Sequence, residues 1–220
     1  MAHVSRALGA LDRLVDPLRA TIPISATQIR ASLFEHRQFL SPRVYRDLVT
    51  HVVFLGAPCT GKTTIAQAMA ERLGTVWVSE YGREYWERHQ VDRRLTMDQL
   101  VEIAIGHRER EDERLMQANR YLFIDTDATT TLQFSKYYHE SARAELVHLA
   151  DQTRDRYDVF FLCEPDIPYH DTWDRSGEVS RDQMQRRIEP DLLARRIPFH
   201  RLAGAWPSAV NWSNVCSSDS

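Results

Sequence analysis

Cysteine is scarce: the 220 residues hold three, Cys59, Cys163 and Cys216, with no CxxC pair and no histidine cluster at zinc-ligand spacing. That pattern excludes a disulfide scaffold and a structural zinc site, and a reduced, cytoplasmic setting is expected. No apolar run approaches the roughly 18 residues that span a bilayer. The opening stretch "MAHVSRALGALDRLVDPLRA" lacks the hydrophobic segment of a signal peptide. No membrane partner is therefore expected. Positive charge is not in excess either, since 28 Lys and Arg stand against 31 Asp and Glu for a net charge of -3. Without an overall basic field, a nucleic-acid partner is disfavoured. Internal repeats are absent, and the only low-complexity stretch is the small polar tail "CSSDS" at 216–220.

What remains is an ordinary globular composition, 43% hydrophobic and 27% charged, long enough for one well-cored domain and an appendage. After about residue 48, short apolar runs alternate with helical text. Val52–Leu55 reads as a strand, and Lys62–Leu73 as a helix with Ile65, Ala66, Met69 and Leu73 on one face. "TVWVSE" is a second strand ending at Glu80. A long helix follows over about Thr96–Ala118, with Thr96 as its N-cap. "YLFIDTD" is a third strand closing on Asp125 and Asp127, and helical text continues to Asp155. "DVFFLCE" is a fourth strand, Asp182–Arg196 a further helix, and "PFHRLAG" a fifth strand. Such alternation predicts an α/β fold with a parallel five-stranded sheet covered on both faces. Ligand sites in such sheets lie at the carboxyl ends of the strands.

The loop after the first strand carries the strongest signal. Gly56-Ala57-Pro58-Cys59-Thr60-Gly61-Lys62-Thr63 satisfies GxxxxGK[ST], with an apolar strand before it and an amphipathic helix after it. Glycines let main-chain N–H groups wrap phosphate oxygens, and the helix N-terminus adds partial positive charge. Lys62 is expected to reach the β- and γ-phosphates of ATP, and the Thr63 hydroxyl to complete a Mg²⁺ shell, with Thr64 beside it. Asp125 reads as a second Mg²⁺ ligand. Asp127 has two roles open to it, ligand or N-cap of the helix beginning "ATTTLQF". Glu80 stands where a base would accept a hydroxyl proton, with Arg83 near it to neutralise charge. The polar stretch "HDTWDRSGEVSR" has the character of a lid, with Arg175 or Arg181 contacting transferred charge. The remaining arginines of that region, Arg186, Arg187, Arg195 and Arg196, read either as a solvated helix face or as part of a phosphate site.

"GAPCTGKTT", "VSEYGREYW", "FIDTDATTT" and "DIPYHDTWDRSGE" stand in the order and spacing of the kinase domain of NadR-type proteins, bifunctional enzymes of bacterial NAD salvage. The resemblance covers about residues 50–212 and implies a P-loop fold of the nucleoside-kinase type. It implies γ-phosphoryl transfer from ATP to the 5′-hydroxyl of nicotinamide riboside, giving NMN and ADP. On that reading Glu80 is the base and ribose-side ligand, with Arg83 and Asp127 near it and Tyr85 as an aromatic wall for the cationic ring. Upstream, "TIPISATQIRASLFEHRQFLSPRVYRDLV" resembles the end of the adenylyltransferase domain that precedes the kinase in this family. The HxGH motif of nucleotidyl transfer is absent, however, since none of the nine histidines forms one. The expected organisation is a short helical remnant of that domain over 1–48, the kinase domain over 49–215 and the tail. No adenylyltransferase activity is expected. Two rival readings share the loop: a kinase for another nucleoside or small hydroxylated metabolite, and a non-catalytic ATP-sensing module.

Overall fold

The computed structural model describes residues 7, 9, 16, 18–91, 94–167 and 178–204, the side chains of 178–180 excepted. The chain divides into two compact units, Met1–Ser41 and Pro42–Ser220. In the first, the Asp16 carboxylate accepts the backbone N–H groups of Ala20, Thr21 and Ile22. Its helix α1 (Ala26–Ala31) starts with a capping box, in which Ser25 and Gln28 satisfy each other's exposed amides.

The second unit begins with α2 (Pro42–Arg46), earlier than the boundary expected after residue 48. The reason is Tyr45, which is fully buried and donates its hydroxyl to the Ala118 carbonyl at 2.6 Å. Then follow β1 (Thr50–Leu55), α3 (Lys62–Leu73), β2 (Val76–Val78), α4 (Tyr81–His89) and α5 (Met97–Leu115). After these come β3 (Tyr121–Asp125), α6 (Ala128–His139), α7 (Ala144–Asp151), α8 (Thr153–Arg156), β4 (Val159–Cys163), α9 (Glu178–Ala194) and β5 (His200–Leu202). Thr96 caps α5 as the sequence predicts, in a capping box with Gln99.

The five strands form one sheet in the order β2-β3-β1-β4-β5, and every pairing is parallel. Strand β1 is central, and Val52 to Leu55 are buried on both faces, as a parallel sheet covered by helices requires. Phe54 stacks on Phe123 of β3 and Phe161 of β4, with ring centroids 6.1 and 5.5 Å apart. Pairs of this kind contribute about 0.5–1.5 kcal/mol beyond their burial and help lock the central register. Val52, Phe54, Ala66, Met69 and Phe161 share one core cluster. A second joins Tyr85, Leu100, Ile103, Leu132 and Leu146 beneath the helices.

Several boundaries differ from expectation. Strand β2 stops at Val78, so Glu80 stands outside it, at the N-cap position of α4. Strand β3 stops at Asp125, and Asp127 caps α6 instead of ending the strand. Helix α9 begins at Glu178, before Asp182, and keeps Pro190 within it. The arginines of this region divide. Arg186, Arg187 and Arg196 are exposed, Arg195 pairs with Asp191 and Asp151, and Arg181 is buried.

Candidate active site

Backbone conformation dictates the loop between β1 and α3. Gly56 sits at φ +141°, where a methyl group would fall 2.7 Å from the Cys163 carbonyl oxygen and 2.9 Å from Thr60 Oγ1. Gly61 takes φ 81° as the N-cap of α3. Cys59 holds φ 58°, a left-handed conformation that a side chain disfavours. The loop is braced from within and from outside. Thr60 Oγ1 donates to the Ala57 carbonyl at 2.9 Å, and the Ala57 N–H donates to Gln185 Oε1 at 2.9 Å. Gln185 in turn donates from Nε2 to the Cys163 carbonyl at 3.2 Å, so α9 ties the loop to the end of β4. The buried Cys163 thiol has its pKa pushed up to about 12 by burial, which makes it a packing residue.

Lys62 is only 8% exposed, and its Nζ donates to the Ala57 carbonyl at 2.8 Å, across the loop it belongs to. The Thr63 hydroxyl donates to Asp125 Oδ2 at 2.5 Å. Asp125 is fully buried, and its second oxygen, Oδ1, has no hydrogen-bond partner. Burial pushes its carboxyl pKa up, the charge of Glu80 pushes it further, and Lys62 and the Thr63 hydrogen bond oppose both. Thus Lys62, Thr63, Asp125 and Glu80 act on one another at the carboxyl ends of β1, β2 and β3. An unpartnered carboxylate oxygen beside a threonine hydroxyl is the donor pair a hard divalent cation accepts. Among the described residues no group of three His, Cys, Asp or Glu side chains converges as a metal cage.

Other expected site residues take different places. Asp127 is 1% exposed, and its Oδ1 accepts the N–H groups of Thr129 and Thr130 and the Thr129 hydroxyl. Its Oδ2 accepts the Thr153 hydroxyl at 2.8 Å. With both oxygens engaged by the first turn of α6 and by Thr153, Asp127 caps that helix, one of the two roles the sequence left open to it. Tyr85 belongs to the core. It is 6% exposed, stacks on His89 and donates its hydroxyl to Glu102, so it is no open wall for a ring. Burial and the Glu102 carboxylate push its pKa up to about 12. Arg83 is exposed on α4. Arg181 donates from NH1 to the Ile167 carbonyl at 3.0 Å, and Ile167 lies 3.5 Å from the position a Cβ on Gly61 would take. It is thus linked to the loop through the chain beside it. Arg175 lies outside the described residues.

Sequence reasoning missed Gln185, which carries no motif and reaches the loop only through the tertiary fold. It also missed a buried polar group on α5 and its neighbours. There Glu111 is 1% exposed, accepts the Tyr157 hydroxyl at 2.8 Å and pairs with Arg156 at 2.6 Å.

A parallel sheet with this loop at the exit of its central strand defines a P-loop protein. The chain belongs to the AAA-domain family AAA_28, whose profile matches residues 51–208. It is 31% identical over 199 residues to the trifunctional NAD biosynthesis/regulator protein NadR of Escherichia coli (strain K12). That match takes in 89% of this chain and 48% of the relative, so the chain spans about half the length of the relative it matches. A solved NadR structure in complex with NAD and AMP-PNP superposes with a TM-score of 0.64 at 26% identity, covering 89% of this chain and 55% of that one. A NadR structure in complex with NR gives 0.64 at 23% identity over 96% of this chain and 63% of that one, a likeness of fold. No helix among the described residues is long and apolar enough to cross a membrane.

Proposed function

We propose that this chain is an ATP-dependent kinase that phosphorylates the 5′-hydroxyl of nicotinamide riboside, giving NMN and ADP. The observation that carries the reading is the meeting of Lys62, Thr63, Asp125 and Glu80 at one rim of the sheet. The NadR relationship supports it, because NadR proteins have been solved with an ATP analogue and with NR.

In this reading the amides of Gly56–Thr64 cradle the triphosphate, and Lys62 leaves the Ala57 carbonyl for the β- and γ-phosphates. Thr63 and Asp125 hold Mg²⁺, which neutralises charge on the phosphates when bound. Glu80 accepts the proton of the 5′-hydroxyl as its oxygen forms a bond to the γ-phosphorus and the bond to the ADP oxygen breaks. Arg83, exposed on α4 three residues after Glu80, and Arg181, buried on α9, supply positive charge. Lacking an HxGH motif, the chain itself is expected to catalyse no adenylyl transfer.

A coupled ADP-release assay with nicotinamide riboside, run beside Glu80→Gln, tests the proposal. The expected result is turnover in the parent and a loss of roughly 10²–10⁴-fold in the variant, with AMP-PNP affinity retained. A parent that binds AMP-PNP but turns over no nucleoside would refute it.

A further inference from the structure

The turn after β3 is held from two sides, and one of them lies outside the site described above. Thr126 sits at φ 71°, a conformation a β-branched residue adopts only under constraint. Its N–H donates to the Phe54 carbonyl at 3.0 Å, close to where β1 enters the phosphate loop. Its own carbonyl lies 3.1 Å from His107 Nε2 on α5. A carbonyl can only accept, so Nε2 carries the proton. His107 is 4% exposed, and its Nδ1 has no partner. Glu111 Oε1 stands 3.6 Å from Nε2, beyond hydrogen-bond reach, and Glu111 is itself held by Tyr157 at Oε1 and by Arg156 at Oε2.

Asp125 immediately precedes this pinned turn. The Asp125 carboxylate meets Thr63 through Oδ2 and leaves Oδ1 unpartnered. Groups behind a metal ligand commonly fix its orientation, and losing them lowers metal affinity by about 10–100-fold. We propose that His107 is a positioning residue for Asp125. Its hydrogen bond to the Thr126 carbonyl holds the left-handed turn that reserves Asp125 Oδ1 for the cation of a bound metal–nucleotide. This rests on the functional reading above.

The test compares the parent with His107→Phe, which keeps a ring and loses the donor, and His107→Gln, which restores an N–H at similar reach. Melting temperature is followed with AMP-PNP alone and across a Mg²⁺ titration. AMP-PNP alone should stabilise all three alike. The Mg²⁺ concentration at half of the metal-dependent gain should rise about tenfold in His107→Phe and return to within about twofold of the parent in His107→Gln. Equal midpoints in parent and Phe variant, or a Gln variant as impaired as the Phe variant, overturn the proposal while leaving the functional reading intact. A parent with no Mg²⁺-dependent gain at all brings down both together. Should His107→Phe fail to fold, the imidazole nitrogen NMR spectrum of the parent decides. The expected result is an Nε2–H tautomer whose signal moves when Mg²⁺ joins the AMP-PNP complex and stays put with Mg²⁺ alone. An Nδ1–H tautomer, or a signal that does not move, overturns it.

Discussion

Two carboxylates one residue apart, Asp125 and Asp127, are both buried, yet their surroundings separate them completely. Asp127 has a full set of donors, from two amides and two hydroxyls. Replacing it with Ala removes a buried cap and should cost about 2 kcal/mol in urea unfolding while leaving AMP-PNP affinity unchanged by calorimetry. Asp125 has one donor, an empty second oxygen, and the charge of Glu80 acting against it. Burying such a charge costs stability that the folded chain forgoes for its site. Asp125→Asn should therefore stabilise the ligand-free protein by about 0.5–2 kcal/mol and abolish the gain from Mg²⁺ with nucleotide, both readable as melting temperatures. From sequence the role of Asp127 stayed open, because cap and cation ligand call for the same carboxylate. The partner that decides, Thr153, lies far along the chain.

Helix α5 shows how an element can be legible while its purpose is not. Its capping box and apolar spacing are plain in the text, but "HREREDER" reads as a solvated charge run. The fold turns Glu111 inward, because Arg156 and Tyr157 arrive at the end of α8 to satisfy it. Gly106 on the same helix is equally silent in sequence. A Cβ there would fall 2.3 Å from the Tyr81 ring. That ring cannot swing away freely, since the Arg110 guanidinium lies 4.2 Å above it and Tyr85 meets it edge-on at 5.7 Å. A glycine-to-alanine change inside an exposed helix ordinarily gains up to about 1 kcal/mol. Gly106→Ala should instead lose roughly 1–3 kcal/mol in denaturant unfolding, through overpacking against the first turn of α4. The strands were far more readable, since β-branched and aromatic runs mark β1 to β4. Their ends were not, because hydrogen bonding to a neighbouring strand, absent from the text, decides where a strand stops.

For the second unit as a whole, the sheet brings the loop after β1 and the acids after β2 and β3 to one rim by parallel pairing alone. If that rim binds a metal–nucleotide, AMP-PNP·Mg²⁺ at about a hundred times its Kd should add ~2.7 kcal/mol. For a chain of this size the gain corresponds to a rise of roughly 5–10 °C in Tm by calorimetry. The unit's lower limit is set by Tyr45 and not by the start of β1. A chain beginning at residue 42 should unfold cooperatively in urea, and one beginning at residue 49 should be weaker by about 2–5 kcal/mol, the cost of losing a fully buried large side chain. The placement of Lys62 carries a consequence of its own. Resting on the Ala57 carbonyl, the ammonium is already solvated by the chain, so any newcomer must better that arrangement before it can settle. A lone sulfate or orthophosphate offers little more than an exchange of one oxygen for another, whereas a polyphosphate tail recruits the surrounding amides as well. On the proposed reading, this resting contact makes the loop discriminate against small single anions in favour of a polyphosphate.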